Sequence, residues 1–467
     1  MSSEAAARGL APSRPHTDAR GGLPPGPHVP RLALTVAWAL APTWVMDRCA
    51  RSLGEAFTLT FAPSGLQFVL ISDPEAVKTL FTAPAEVAPS AAGSSPVAPV
   101  MGPSSVVVLT GPEHMRQRKL LLPPFHGERM REYEQVIVEA TRRDMRTWQL
   151  GKPMRLQRHT RQITLEVILR AVFGVEAERM GPLRVAIGEL LEPMNTLRML
   201  QYMLTGAQLD RPPGEIGAAL TRLDKLIYAE IAHRRTEDGL GERTDILSLL
   251  MQARDEDGVE MTDAELRDEL VTLLLAGHET TATAVAWAIE RLVRHPQKLA
   301  RLLAEIDAGE EDQYLEAVVN ETMRVRPVVP LVVRMLTQEL RVGSWDLPAG
   351  TRVAPSIYLT NRNPRIYDRP DEFLPERYLQ AVPETFSWIP FGGGIRRCIG
   401  ASFALLEMKL ILRTVLLELE PELPAGARTL RRGELIRRRA ITLVPARGAR
   451  VRWKRRRAGG GPSRLGG

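Results

Sequence analysis

The chain has 467 residues, 44% of them apolar, enough to bury a large core, and by length alone two or three domains would be expected. Its two cysteines, Cys49 and Cys398, lie in unlike surroundings, which excludes a disulfide-stapled fold, an iron–sulfur cluster and an all-cysteine zinc site. The net charge of +7 is a C-terminal feature, because residues 428–467 carry fourteen Lys or Arg against the single acid Glu434 and leave the remainder at −6.

In chain order, residues 1–22 are rich in Ala, Arg, Ser and Gly, lack the apolar core of a secretory signal, and read as a disordered N-terminal tail. From Leu32 to Met46 the chain is apolar, broken by Pro42 and too short to span a bilayer, so no transmembrane segment is expected. This stretch reads as a first packed helix, with contact at a membrane surface as its second reading. Phe57-Thr58-Leu59-Thr60-Phe61 and Phe68-Val69-Leu70-Ile71, separated by Pro63-Ser64-Gly65, predict the start of a small sheet. Residues 83–105, full of Ala, Pro, Ser and Gly, form a long irregular connection.

Pro112 suits the first turn of a helix that carries His114 and Arg118 four residues apart, hence on one face. Two donors so placed suit a pair of carboxylates. Residues 129–235 read as successive amphipathic helices interrupted near residues 206–214, with a Met-, Leu- and Tyr-rich stretch at Met194–Leu204. The long helix that follows opens on Thr262-Asp263-Ala264-Glu265, a capping box, and holds helical spacing to Arg294, where His295-Pro296 stops it, a length of roughly 50 Å. Its middle, Ala276-Gly277-His278-Glu279-Thr280-Thr281, combines a weak helix former with a buried acid and hydroxyls, so a local distortion is expected there. His278 reads as a packed residue or one bracing the site from behind, not as an iron ligand. A further helix carries Glu321-Thr322-Met323-Arg324 and leads through Arg326-Pro327 to the apolar stretch Val328–Val333 and Arg334.

The most specific stretch comes last: Phe391-Gly392-Gly393-Gly394-Ile395-Arg396-Arg397-Cys398-Ile399-Gly400, running straight into an apolar-periodic helix. The helix start favours a negative sulfur, and the glycines let backbone approach a flat partner. The pattern Phe-x-x-Gly-x-Arg-x-Cys-x-Gly resembles the haem-binding loop of the cytochrome P450 family, the haem-thiolate monooxygenases. Beyond it, Arg452-Trp453-Lys454-Arg455-Arg456-Arg457 would suit an anionic surface, but no nucleic-acid module accompanies it; it reads as a solvated tail, and no nucleic-acid partner is expected.

The resemblance implies a cytochrome P450 fold, mainly α with small β-sheets, forming a single haem domain over residues 23–457 with a disordered tail at 458–467. It makes Cys398 the axial ligand of haem b, with Phe391 shielding the sulfur and Gly394 and Gly400 in the cradle. No Cys-x-x-Cys-His motif is present, so the haem would be held non-covalently. Arg396, His114, Arg118 and Arg334 would meet the propionates, and Ala276 would leave room for the flat cofactor. Thr280 would hydrogen-bond the dioxygen co-substrate while Glu279 gates protons toward it. Glu321, Arg324 and Arg377 would form a buried structural triad. Leu275, Val329, Leu331 and Val332 would line the substrate pocket, roofed by Met194–Leu204.

The activity implied is hydroxylation or epoxidation of a lipophilic small molecule such as a fatty acid, terpene, steroid or polyketide. Dioxygen and two electrons would be used, the latter from a ferredoxin or flavodoxin with its NAD(P)H reductase, docked near Lys119 and Arg397. A cytoplasmic monomer is expected. Two rivals are peroxide-driven oxygenation, which would not need Glu279 and Thr280, and a haem-binding sensor or carrier without turnover. The chain departs from the family at Asn361, where His is commoner and no cofactor contact is assigned, and in the short link between Ile306 and Tyr314.

Overall fold

The structure, a computed structural model, describes residues 20–95, 97–127, 129–174, 177–192, 212, 214–237, 239–380, 384–425 and 433–456. The β-branched and aromatic runs near the N-terminus form strands Ala56–Thr60 and Gln67–Ile71, which pair antiparallel with Phe57 opposite Leu70 and Leu59 opposite Phe68. Arg352–Pro355 adds in parallel and Arg334–Met335 antiparallel to it, completing a four-stranded sheet. The irregular stretch after residue 83 closes that edge. Ser90 bridges Arg334, and the Met335 N–H donates to Pro89 O at 3.0 Å.

Pro42 splits the N-terminal apolar stretch into helices Arg31–Leu40 and Pro42–Leu53, sitting in the first turn of the second, where its missing N–H is no loss. Leu34, Trp38, Val45 and Met46 pack with Phe57, Leu59 and Phe61 of the sheet. Arg20–Gly21 pairs in parallel with Trp345 and Asp346, so this end of the expected tail is a short strand; backbone hydrogen bonds hold it, and composition carries no sign of them. Residues 1–19 of that expected tail, the Met194–Leu204 stretch and the tail expected at 458–467 lie outside the described residues.

The central helix runs Asp263–Arg294, 32 residues, with its capping box formed: the Glu265 N–H donates to Thr262 Oγ1 at 3.2 Å and the Thr262 N–H to Glu265 Oε2 at 2.8 Å. The helix is unbroken through Ala276–Thr281, against the expected distortion, although the Thr280 and Thr281 hydroxyls donate back to Ala276 O and Gly277 O. It continues because helices pack on it from several sides: Leu156–Phe173, Gly214–Thr236, Gln313–Val325 and Ala401–Glu418. Helix Pro296–Ala308 joins Gln313–Val325 directly, so the short link costs only a minor element.

The basic C-terminal run is not a solvated tail. Arg450–Arg455 is a strand between Pro153–Arg155 and Leu419–Glu422, and its cations have acids to face: Arg452 Nη2 lies 2.7 Å from Glu422 Oε2, and Lys454 Nζ 3.2 Å from Glu420 Oε1. Among the described residues no helix is long and apolar enough to cross a membrane.

Candidate functional site

The cysteine loop is built by short backbone bonds. The Gly392 N–H donates to Ile389 O, Arg397 N–H to Gly394 O and Cys398 N–H to Phe391 O, each within 2.9–3.0 Å, and helix Ala401–Glu418 starts three residues beyond the thiol. Gly394 sits at φ +64°, and a Cβ there would lie 2.0 Å from Phe81 O, so glycine is required on both counts. Gly400 has open space instead, and its N–H reaches the cysteine sulfur. Phe391 is partly buried and stacks edge-on against Trp388, with ring centroids 6.2 Å apart. Cys398 exposes surface although protein surrounds it on nearly every side, the signature of a side chain lining an internal recess. Burial raises its pKa, while the Gly400 N–H, Arg397 and Arg118 act in the opposite direction.

Four basic side chains converge beside this thiol from four parts of the chain. His114 and Arg118 come from helix Gly111–Leu121, Arg334 from the sheet edge and Arg396 from the cysteine loop. Arg396 is braced by Val106 O at 3.0 Å and by Leu109 O. Burial pushes Arg334 and Arg396 down to about 10, and Arg396 is depressed further by Arg334 and Arg118. His114 is lowered to about 4, first by burial and then by the three arginines, so it is neutral at pH 7. Among the described residues no carboxylate pairs with any of the four. Such a cluster repels itself and needs anions from elsewhere; the two carboxylates of a haem, with the thiol for its iron, fit this donor set.

The middle of the central helix packs against the helix that follows the cysteine, with Thr281 beside Glu407. Ala276 is exposed although Leu274, Leu275, His278 and Glu279 around it are buried, so this methyl faces the open space. Gly277 meets Ile168 on the neighbouring helix, where a Cβ would come within 3.0 Å. Thr280 is half-exposed and donates to Ala276 O at 2.7 Å, which leaves its oxygen free to accept. Glu279 is buried; its Oε1 takes a hydrogen bond from Arg161 Nη2 at 2.8 Å and lies 3.7 Å from Arg439 Nη1, while Oε2 has no partner. Burial lifts this carboxyl to about 7, against the pull of Arg161. His278 is buried, its Nδ1 2.9 Å from Leu274 O, and burial holds it neutral.

Behind the loop, Glu321 and Arg324 are completely buried and paired through two bonds, at 2.7 and 2.8 Å, and Arg377 Nε lies 3.2 Å from Glu321 Oε2. Asn361, given no cofactor contact, instead accepts from Arg324 through its carbonyl and from the Ile389 N–H through Oδ1, tying the triad to the segment leading into the cysteine loop. Leu275 is buried in the main core. Val329 and Val332 pack toward the core under the four-stranded sheet, whereas Leu331 packs toward the N-terminal cluster.

Arg161 and two further buried acids were not singled out by sequence. Glu269 on the central helix accepts from the Val106 N–H at 2.7 Å and leaves Oε2 unpartnered, and burial raises it to about 8. Glu407, on the helix after the cysteine, has neither oxygen partnered and is likewise raised to about 8; its polar neighbour Thr281 gives its hydrogen to Gly277 O. A signal was present: Phe403, Glu407, Ile411 and Val415 recur every four residues, which places the acid on the apolar stripe.

The family profile described as Cytochrome P450 matches residues 24–439. The chain is 40% identical over 453 residues to Putative cytochrome P450 137 of Mycobacterium tuberculosis, covering 94% of this chain and 92% of that protein. It is 38% identical over 439 residues to Putative cytochrome P450 135B1 of Mycobacterium bovis, covering 92% and 91%. Its fold is similar to that of a retinoic acid-bound cyanobacterial CYP120A1, with a TM-score of 0.79 at 23% identity over 93% of this chain and 99% of the other. The haem domain of cytochrome P450DA gives 0.80 at 22% identity, over 94% and 98%. With the family profile covering nearly the whole length and relatives this similar, the chain belongs to the cytochrome P450 family and is a haem-dependent monooxygenase.

Proposed function

We propose that Cys398 holds the haem iron as a thiolate, that Arg118, Arg334, Arg396 and neutral His114 hold the propionates, and that the enzyme hydroxylates or epoxidises a lipophilic small molecule. The observation that carries this reading is the cluster of basic side chains beside a recessed thiol, with no carboxylate paired to it among the described residues. When bound, haem supplies dioxygen activation and the transfer of one oxygen atom to substrate. The chain's part is to position and to move protons. The Gly400 N–H and the nearby guanidiniums favour the ionised sulfur, the exposed Ala276 would leave space for the cofactor, and Thr280 offers a hydroxyl oxygen free to accept a proton donor. Glu279, poised near neutrality with one oxygen unpartnered, is placed to deliver the proton while Arg161 holds the other oxygen still. That pair favours the dioxygen route over a peroxide-driven one.

Val329 and Val332, both partly exposed, supply apolar surface suited to a fatty acid, terpene, steroid or polyketide. Electrons come from a ferredoxin or flavodoxin with its reductase. Arg397, exposed and close enough to act on the sulfur, is the cation left for an acidic partner, because Lys119 is already paired with Glu256 at 2.7 Å. The test is the carbon monoxide spectrum of the reduced, haem-loaded protein. A thiolate-type red-shifted band that is lost in Cys398→Ser supports the assignment; the same band in both proteins refutes it.

A further inference from the structure

The first helix is apolar on two faces, and the fold uses one. Leu34, Trp38 and Ala39 turn inward, while Leu32, Val36 and Leu40, spaced four residues apart, share the outer face. Leu32, Leu40 and Trp44 of the next helix are each more than half exposed, and Val29 and Val36 are 44% and 38% exposed. No charged residue occurs between Leu32 and Met46. The cations framing the strip, Arg31, Arg48 and Arg51, are exposed, with the Arg48 guanidinium 5.8 Å from the Trp44 ring centroid. The acid in between, Asp47, turns to the protein and accepts from the Tyr358 hydroxyl at 3.0 Å. The hairpin of Ile436–Arg439 and Thr442–Pro445, whose Arg438 lies over the Trp38 ring, leaves Leu435 exposed as well.

Three occupants could cover such a strip, and charge separates them. Residues 1–19 contain only Met1 and Leu10 as large apolar side chains, too few to bury five. The exposed parts of the five side chains amount to on the order of 500 Å², short of the ~800 Å² per partner typical of a stable dimer. An apolar strip with a terminal tryptophan and arginines at its ends matches a lipid headgroup boundary, where the indole sits at the interface and each arginine is drawn to an anionic surface.

We propose that Val29, Leu32, Val36, Leu40 and Trp44 dock the enzyme onto an anionic membrane surface, with Arg31, Arg48 and Arg51 meeting the lipid phosphates. The protein lies on the bilayer and does not cross it. Full-length, haem-loaded enzyme is sedimented with vesicles of phosphatidylcholine plus phosphatidylglycerol and with vesicles of phosphatidylcholine alone. The expected result is binding to the mixed vesicles that weakens with salt and falls about tenfold or more in Leu32→Glu/Leu40→Glu, whose carbon monoxide spectrum stays that of the parent. Independently, lipids brominated in the upper acyl chain should quench the parent, and Trp44→Phe should abolish that quenching. Three outcomes overturn the proposal: no binding by the parent, equal binding by the double variant (as the basic C-terminal segment alone would give), or a parent dimer that the double variant dissolves.

Discussion

Glu279 and Thr280 are adjacent in the chain, and their surroundings divide the work between them. Thr280 gives its hydrogen to Ala276 O and keeps an accepting oxygen, so Thr280→Ala is expected to retain haem while reducing equivalents leak to hydrogen peroxide. Comparing peroxide formed with reductant consumed measures this, and unchanged coupling removes the residue from the oxygen side. Glu279 is an acid lifted by burial to about 7 and pulled back by Arg161. Its protonated form prevails below that value, so turnover should fall as the pH climbs past about 7. In Arg161→Gln the pull is gone, the carboxyl rises further and the falling limb moves to higher pH. Glu279→Gln should lose that limb and run about 10²-fold slower. A kcat–pH profile alike in all three proteins would exclude this acid from proton delivery. The pair was legible as an acid beside a hydroxyl in the middle of a long helix. Arg161 was not, since it lies 118 positions away and looks like any surface arginine of an amphipathic helix.

At the scale of elements, Glu-x-x-Arg shows why pattern without context misleads. In the copy at Glu113, Arg116 turns to Asp255 and Glu265; in the copy at Glu139, the acid pairs with Arg170. Among the described residues, only at Glu321 do both members lie fully buried, because Arg324 also donates to the carbonyls of Asn361, Pro370 and Glu372. Removing the acid strands a buried guanidinium, so Glu321→Ala is expected to cost about 3–5 kcal/mol. Arg377 is partly exposed and leaves Glu321 still bound to Arg324 and the Leu374 N–H, so Arg377→Ala should cost about 1 kcal/mol. Urea midpoints distinguish the two, and equal losses would contradict this ranking. The stretch ending at Ser105 was legible only as irregular. Its order comes from the central helix: the Ser104 N–H donates to Asp268, Ser105 and Thr272 share a bond of 2.6 Å, and the Val106 N–H donates to Glu269. Those partners are more than 160 residues away, and no local propensity announces them.

For the whole molecule, the buried acids set how stability responds to pH. Glu269 and Glu407 are neutral in the folded protein up to about pH 8, whereas in the unfolded chain they ionise near the ordinary value of 4.5. Between those limits the native state binds more protons than the unfolded one. The stability they contribute is therefore complete below the unfolded value and is lost as pH rises through the folded one, by at most about 1.4 kcal/mol per pH unit for each group. Buried His114 and His278 act in reverse. Their folded values near 4 lie below the ordinary 6.5, so their contribution is complete above 6.5 and lost as the pH falls toward 4. The window from about 6.5 to 8 isolates the carboxyls. In it the unfolding temperature of the parent should fall, and Glu407→Gln, which buries the same shape without a proton to lose, should fall less steeply and gain on the parent at each step. If the two curves stay parallel across that window, Glu407 is not held neutral in the fold, and its burial must be compensated by a partner.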